Sequence, residues 1–199
     1  VIVPWGSGAA EPVLMTKSAV QEVTIMSGGY EAEYGDAISG IINVITKEGR
    51  ETPEVMMKYS TDRIFSTDKL NYGYNFFETY FGGALPGFKR FRYFLSGEIY
   101  KIDDYGPDNG FGFFKVSRPR CDYRGEAHIT YSIPGRGKLS INGFRSREQY
   151  TSYSPSWHFN LPNFVSRNYT TTVAHAILNY RLGKDILSSI KGSYLAANR

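Results

Sequence analysis

Residues 124–133 alternate without a break. Gly125, Ala127, Ile129, Tyr131 and Ile133 are apolar or small, while Arg124, Glu126, His128, Thr130 and Ser132 are polar. A period of two puts one set on each face of a β-strand. Ten residues is also close to the ~9–11 that a tilted strand needs to cross a bilayer. The pattern recurs. Phe91, Tyr93, Leu95, Gly97 and Ile99 oppose Arg92, Ser96 and Glu98. Ala174, Ala176, Leu178, Tyr180 and Leu182 oppose His175, Asn179 and Arg181, and Ile186, Ile190 and Tyr194 oppose Ser189, Lys191 and Ser193. About seven strands are expected, at 54–62, 72–85, 91–103, 121–133, 137–150, 168–182 and 185–198.

The connections have their own rhythm. Pro86 to Arg90, Pro134-Gly135-Arg136 and Gly183-Lys184 carry turn residues and are short. The stretches 63–71, 104–120 and 151–167 are long. Strict alternation of short and long places all turns at one end of an antiparallel sheet and all loops at the other. Outer-membrane barrels are built so, with periplasmic turns and extracellular loops. A soluble β-sandwich, with its Greek-key crossings, gives no reason for this rhythm. The aromatic share of 16%, with 16 Tyr and 13 Phe, suits an all-β chain. No apolar run is long enough for a transmembrane helix. Barrel strands would not supply one, because they alternate.

Residues 1–49 read differently. Pro4, Gly6, Gly8 and Pro12 mark loop. Thr16 to Glu22 suits one or two helical turns, with Thr16 or Ser18 near the N-cap. Val23 to Met26 reads as a short strand. Gly28 and Gly29 permit positive φ or close approach. Ile41 to Ile45 is an apolar run suited to a strand covered on both faces. Lys47 to Pro53 is a polar linker and the expected domain boundary, dividing 1–49 from 50–199. The chain opens at Val1 without a basic leader and closes at Asn198-Arg199 inside an expected strand, so it reads as a portion of a longer protein.

Chemistry-bearing patterns are sparse. Cys121 is the single cysteine, so an internal disulfide or a cysteine-built metal site is excluded. His128, His158 and His175 show no metal-ligand spacing, and a Ser–His esterase arrangement has no support beyond the residue types. No catalytic, cofactor-binding or metal-binding residues are assigned, and the chain is expected not to be an enzyme. The net charge of +4 is scattered over the sequence and gives no nucleic-acid footprint. Tyr150, Tyr153, Trp157, His158 and Phe159 form an aromatic patch at the third long loop. They are candidate extracellular substrate contacts, able to stack on a sugar or peptide.

One stretch carries a resemblance. Val20 to Ile25, then Gly28-Gly29, Tyr34-Gly35, and Gly40-Ile41-Ile42-Asn43-Val44-Ile45-Thr46-Lys47 resemble the end of the plug domain of TonB-dependent outer-membrane receptors. Gly82 to Pro86, followed by the aromatic strand from Phe91, is similar to the first barrel hairpin of the carboxypeptidase-regulatory-like, or Oar-like, subgroup. Ser39 departs from the family pattern, as does Met26-Ser27-Gly28-Gly29, which replaces the motif common in siderophore receptors. The resemblance marks Gly28, Gly29, Tyr34, Gly35, Gly40, Asn43, Thr46 and Lys47 as plug signature positions.

The resemblance implies an all-β fold: the first strands of a transmembrane antiparallel barrel of about 22 strands, preceded by the C-terminal part of a small α+β plug. It implies a Gram-negative outer membrane and uptake of a scarce substrate. The implied partners are the TonB–ExbB–ExbD system, reached through a segment upstream of the plug, outer-membrane lipid and lipopolysaccharide, and a surface lipoprotein. No cofactor and no nucleic acid are implied. The alternative expectation is a barrel that serves as a docking platform for surface proteins, without transport.

Overall fold

In the computed structural model, residues 2–4, 15–26, 41–63, 72–103, 119–151, 166–183 and 186–198 are described. The long-loop stretches 64–71, 104–118 and 152–165 lie outside them, as do Gly28, Gly29, Tyr34, Gly35, Gly40, Tyr153, Trp157, His158 and Phe159.

The described chain is all-β and forms two sheets. In the first, β3 (Ile41–Thr46) lies between β1 (Ile2–Pro4) and β2 (Val20–Met26), antiparallel to both. The second is a seven-stranded antiparallel meander of β4 (Glu54–Thr61), β5 (Asn75–Leu85), β6 (Phe88–Ile102), β7 (Arg120–Ile133), β8 (Gly137–Tyr150), β9 (Arg167–Leu182) and β10 (Ile186–Asn198). Each strand pairs with its neighbours in sequence, so β4 and β10 form the edges. All seven expected strands are present. The short turns join β5 to β6, β7 to β8 and β9 to β10 at one end, and the longer connections leave from the other.

Two local expectations are corrected. The β5–β6 turn is two residues, Pro86-Gly87, rather than 86–90. Pro86 presets φ and Gly87 takes φ +81°, so Leu85 pairs with Phe88 across a register shift after Ala84. The helical turns expected from Thr16 reduce to one 3-10 turn at Lys17–Ala19. Val20, Gln21 and Glu22 instead join β2, where Val20 and Glu22 pair with Thr46 and Ile45 of β3 and Gln21 bulges between them. Among the described residues there is no α-helix, so the α part of the expected α+β unit is not found.

The two faces of the large sheet differ sharply. Even positions of β5 to β8 and odd positions of β9 form one face. It buries Glu78, Glu98, Asp122, Glu126, His128 and Thr130 among Phe76, Phe94, Phe144 and Val173. The opposite face leaves large apolar side chains uncovered: Val55 64%, Met57 65% and Ile141 44%, with Phe77, Leu95, Ile99, Tyr123 and Tyr131 also exposed. In a water-soluble sheet the apolar face is the one that goes inward. Here residues 16–18 and 46–51 lie against the polar face, with Ala19 fully enclosed.

Candidate functional site

Three contiguous residues begin the contact between the N-terminal segment and the large sheet. The Thr16 Oγ1 lies 2.5 Å from the Ser96 Oγ. The Lys17 amide donates to Glu98 Oε2 at 3.3 Å, and the Ser18 amide donates to Glu78 Oε1 at 2.9 Å. The 3-10 turn aims these free amides at the sheet, because the first N–H groups of a turn have no partner inside it. Thr16 does sit at the N-cap position, but its hydroxyl caps nothing and goes to Ser96 instead. The Lys17 ammonium lies 5.1 Å over the Phe76 ring.

The end of β3 makes a second node. Asn142 Nδ2 donates to Thr46 Oγ1 at 3.1 Å and to Glu126 Oε1 at 3.0 Å. His128 Nδ1 lies 3.0 Å from the Lys47 carbonyl, and its Nε2 lies 3.1 Å from Ser140 Oγ. A carbonyl only accepts, so the Nδ1 proton points at Lys47 and a neutral ring takes its other hydrogen bond from the Ser140 hydroxyl. The third contact of this Ser–His pair is thus a backbone carbonyl, where a catalytic triad has a carboxylate. His175 also meets a hydroxyl, with Nδ1 3.0 Å from Ser193 Oγ. Among the described residues, no three His, Cys, Asp or Glu side chains gather as a metal-holding group.

A chain of alternating charges runs along the same face toward the long-loop end. Arg124 pairs with Glu98, directly opposite on β6, and with Asp122 at 2.9 Å. Arg120 reaches Asp122 at 3.0 Å and Glu148 at 3.2 Å. Glu98 and Asp122 are each 2% exposed. Taking such charges from water costs several kcal/mol per ion unless they are paired and hydrogen-bonded. The Arg120 guanidinium also lies 6.0 Å from the Tyr100 ring and 5.8 Å from Tyr150, which in turn tilts against Tyr169 at 5.9 Å. Tyr150 is therefore in the aromatic cluster at the loop end.

Parity placed Arg92, Glu98, Arg124, Glu126 and His128 on one face, and the structure puts them there. Arg181 shares the face but is exposed at the turn end. Glu98 and Arg124 pair with each other within the large sheet and away from water. Asp122, Arg120 and Glu148 were missed. The run Arg120, Asp122, Arg124, Glu126, alternating in sign at every second residue, was the available signal. The apolar run of β3 is not covered on both faces either: Val44 is half-buried, and Ile45 is exposed because β3 places it away from the large sheet. Of the other signature positions, Asn43 is half-buried opposite Thr24, and Thr46 and Lys47 make the contacts described above.

Beyond Lys47 the chain is held at the turn end. Lys138 Nζ meets both carboxylate oxygens of Glu48 at 2.6 and 2.7 Å, and Arg92 meets Glu51 at 3.0 Å. Gly49 lies flat on β6. A Cβ there would stand 2.2 Å from the Tyr93 carbonyl oxygen and 2.7 Å from its nitrogen. Only glycine permits that approach. Between this linker and the sheet lies a cleft of about 670 Å³. Comparison with protein families, characterised proteins and solved structures returned no match.

Proposed function

We propose that the seven strands form part of the wall of an outer-membrane β-barrel, that residues 1–49 belong to a plug seated inside it, and that the protein takes up a scarce solute when the plug is displaced. The observation that carries this reading is the inverted large sheet, which buries its charges under the N-terminal segment and leaves its apolar face uncovered. Lipid is the solvent that such a face requires. A lumen wide enough for a folded plug needs far more than seven strands. On this reading both sheet edges pair with further strands, since long open edges are otherwise sites of aggregation.

The interface suits a movable plug. It consists of separate polar contacts, at Thr16 to Ser18, at Thr46-Lys47 and at Glu48, with a small apolar component. A net hydrogen bond contributes about 1 kcal/mol, and a half-exposed ion pair such as Lys138–Glu48 about 0–1 kcal/mol. These can break one after another under a pulling force. Energy coupling through TonB–ExbB–ExbD, and a surface lipoprotein as partner, belong to this proposal.

A disulfide tests it. The Thr16 and Ser96 hydroxyls are already close to the separation of two bonded sulfurs. In a Cys121→Ser background, the pair Thr16→Cys and Ser96→Cys locks the segment to the sheet. The oxidised variant should reproduce the growth defect of a deletion strain on limiting medium, and a reductant should relieve it. A docking platform without transport would be indifferent to the lock.

A further inference from the structure

The cleft between the linker and the large sheet has a composition that points to a ligand. Its floor includes Tyr80 and Phe94, whose rings stack 5.4 Å apart at 29°. Lys47 and Arg92 also line it. The Lys47 ammonium lies 5.4 Å over the Tyr80 ring and makes no ion pair among the described residues. Arg92 gives one terminal nitrogen to Glu51, while its Nε–H is buried without a hydrogen-bond partner. The cleft's acidic residues are already engaged, Glu48 by Lys138 and Glu54 by Arg50. An uncompensated ammonium, a guanidinium with one buried unanswered N–H and the Tyr80 ring therefore border one space. Its volume falls within the range of about 300–1,000 Å³ usual for small-molecule sites.

We propose that this cleft binds small aromatic carboxylates, with the acid group between Lys47 and Arg92 and the ring against Tyr80 and Phe94. The carboxylate meets the Arg92 guanidinium by a charge-assisted hydrogen bond and neutralises Lys47. A planar ring adds contact with the existing stack at offset or edge geometry. A bare inorganic anion would make no use of the Tyr80 ring. A neutral ring would leave Lys47 unanswered. The proposal stands on the cleft alone and does not require that the protein be a transporter.

Benzoate is the probe, titrated by calorimetry into the purified full chain in detergent, with benzamide and acetate as comparators. Benzoate should bind saturably, and each comparator about tenfold or more weakly. Lys47→Gln and Arg92→Gln should each weaken benzoate about tenfold or more, the loss of one charged hydrogen bond. Lys101→Gln, at the far end of β6, should leave it unchanged. Circular dichroism checks that each variant is folded. Should Arg92→Gln unfold, Arg92→Lys, which keeps the charge but removes Nε, should bind more weakly than the parent. The proposal is overturned by absent saturation in the folded protein, by equal binding of benzamide or acetate, or by unchanged affinity in Lys47→Gln. Failure here leaves the disulfide test untouched, because that lock lies outside the cleft.

Discussion

Arg124 shows what single residues do here. Its guanidinium serves Glu98 and Asp122 together, in a place where neither carboxylate can reach water. Arg124→Ala leaves Glu98 buried without a cation while Asp122 keeps only Arg120, and the expected cost is about 3–5 kcal/mol, read by urea titration of the folded protein in detergent. A loss below about 1 kcal/mol would mean that the pair behaves as a surface contact. Gly49 works by its lack of a side chain. Gly49→Ala places a methyl group against the Tyr93 backbone, which cannot yield as a flexible side chain would. Overpacking of that kind costs about 1–3 kcal/mol. It should free the linker, so limited proteolysis would cut near residue 49 while the large sheet stays intact. Unchanged protection would contradict the close approach. The alternation in the sequence told which face Glu98 and Arg124 occupy. It did not tell that they meet, because that depends on the β6–β7 register, which places them directly opposite. The tightness at Gly49 was hidden for a similar reason: it exists only once the linker lies on β6.

The strands were the most legible elements. Their ends fall within a few residues of expectation because a period of two, bounded by Pro-Gly, Pro-Gly-Arg and Gly-Lys turns, leaves little freedom of register. The larger misses fall where local pattern and tertiary pairing compete. Thr16 to Glu22 has residues that cap and start helices, yet the ladder with β3 extends β2 back to Val20. Phe88 to Arg90 looks like turn, yet pairing across a two-residue turn draws them into β6. The same elements give a sharp test of solvent. Ile141 is uncovered on β8. In water, exchanging an exposed Ile for Arg changes stability by less than about 0.5 kcal/mol. Facing hydrocarbon near the midplane, Ile141→Arg should cost about 2–4 kcal/mol. Reversible unfolding in lipid vesicles separates the two values, and a neutral result would place this face in water.

For the whole molecule, the proposed barrel has an orientation as well as a shape. All short turns share one end, so a membrane-spanning sheet sets them on the periplasmic side and the long connections outside. A thiol introduced at Asp103 should react with an impermeant maleimide on intact cells. One at Gly135 should react only after the outer membrane is opened, and the reverse pattern would invert the assignment. The central claim is that lipid covers one face of this sheet while the N-terminal segment covers the other. Spin labels placed singly at 123–131 along β7, in the full chain in bilayers, test it most directly. Collision rates with oxygen, which concentrates in lipid, and with a polar nickel complex, which stays in water, should alternate with a period of two. Positions 123, 125, 127, 129 and 131 should be open to oxygen, and 124, 126, 128 and 130 shielded from it. If the odd positions instead collide freely with the nickel complex, the uncovered apolar face meets water or another protein, and the barrel reading is wrong.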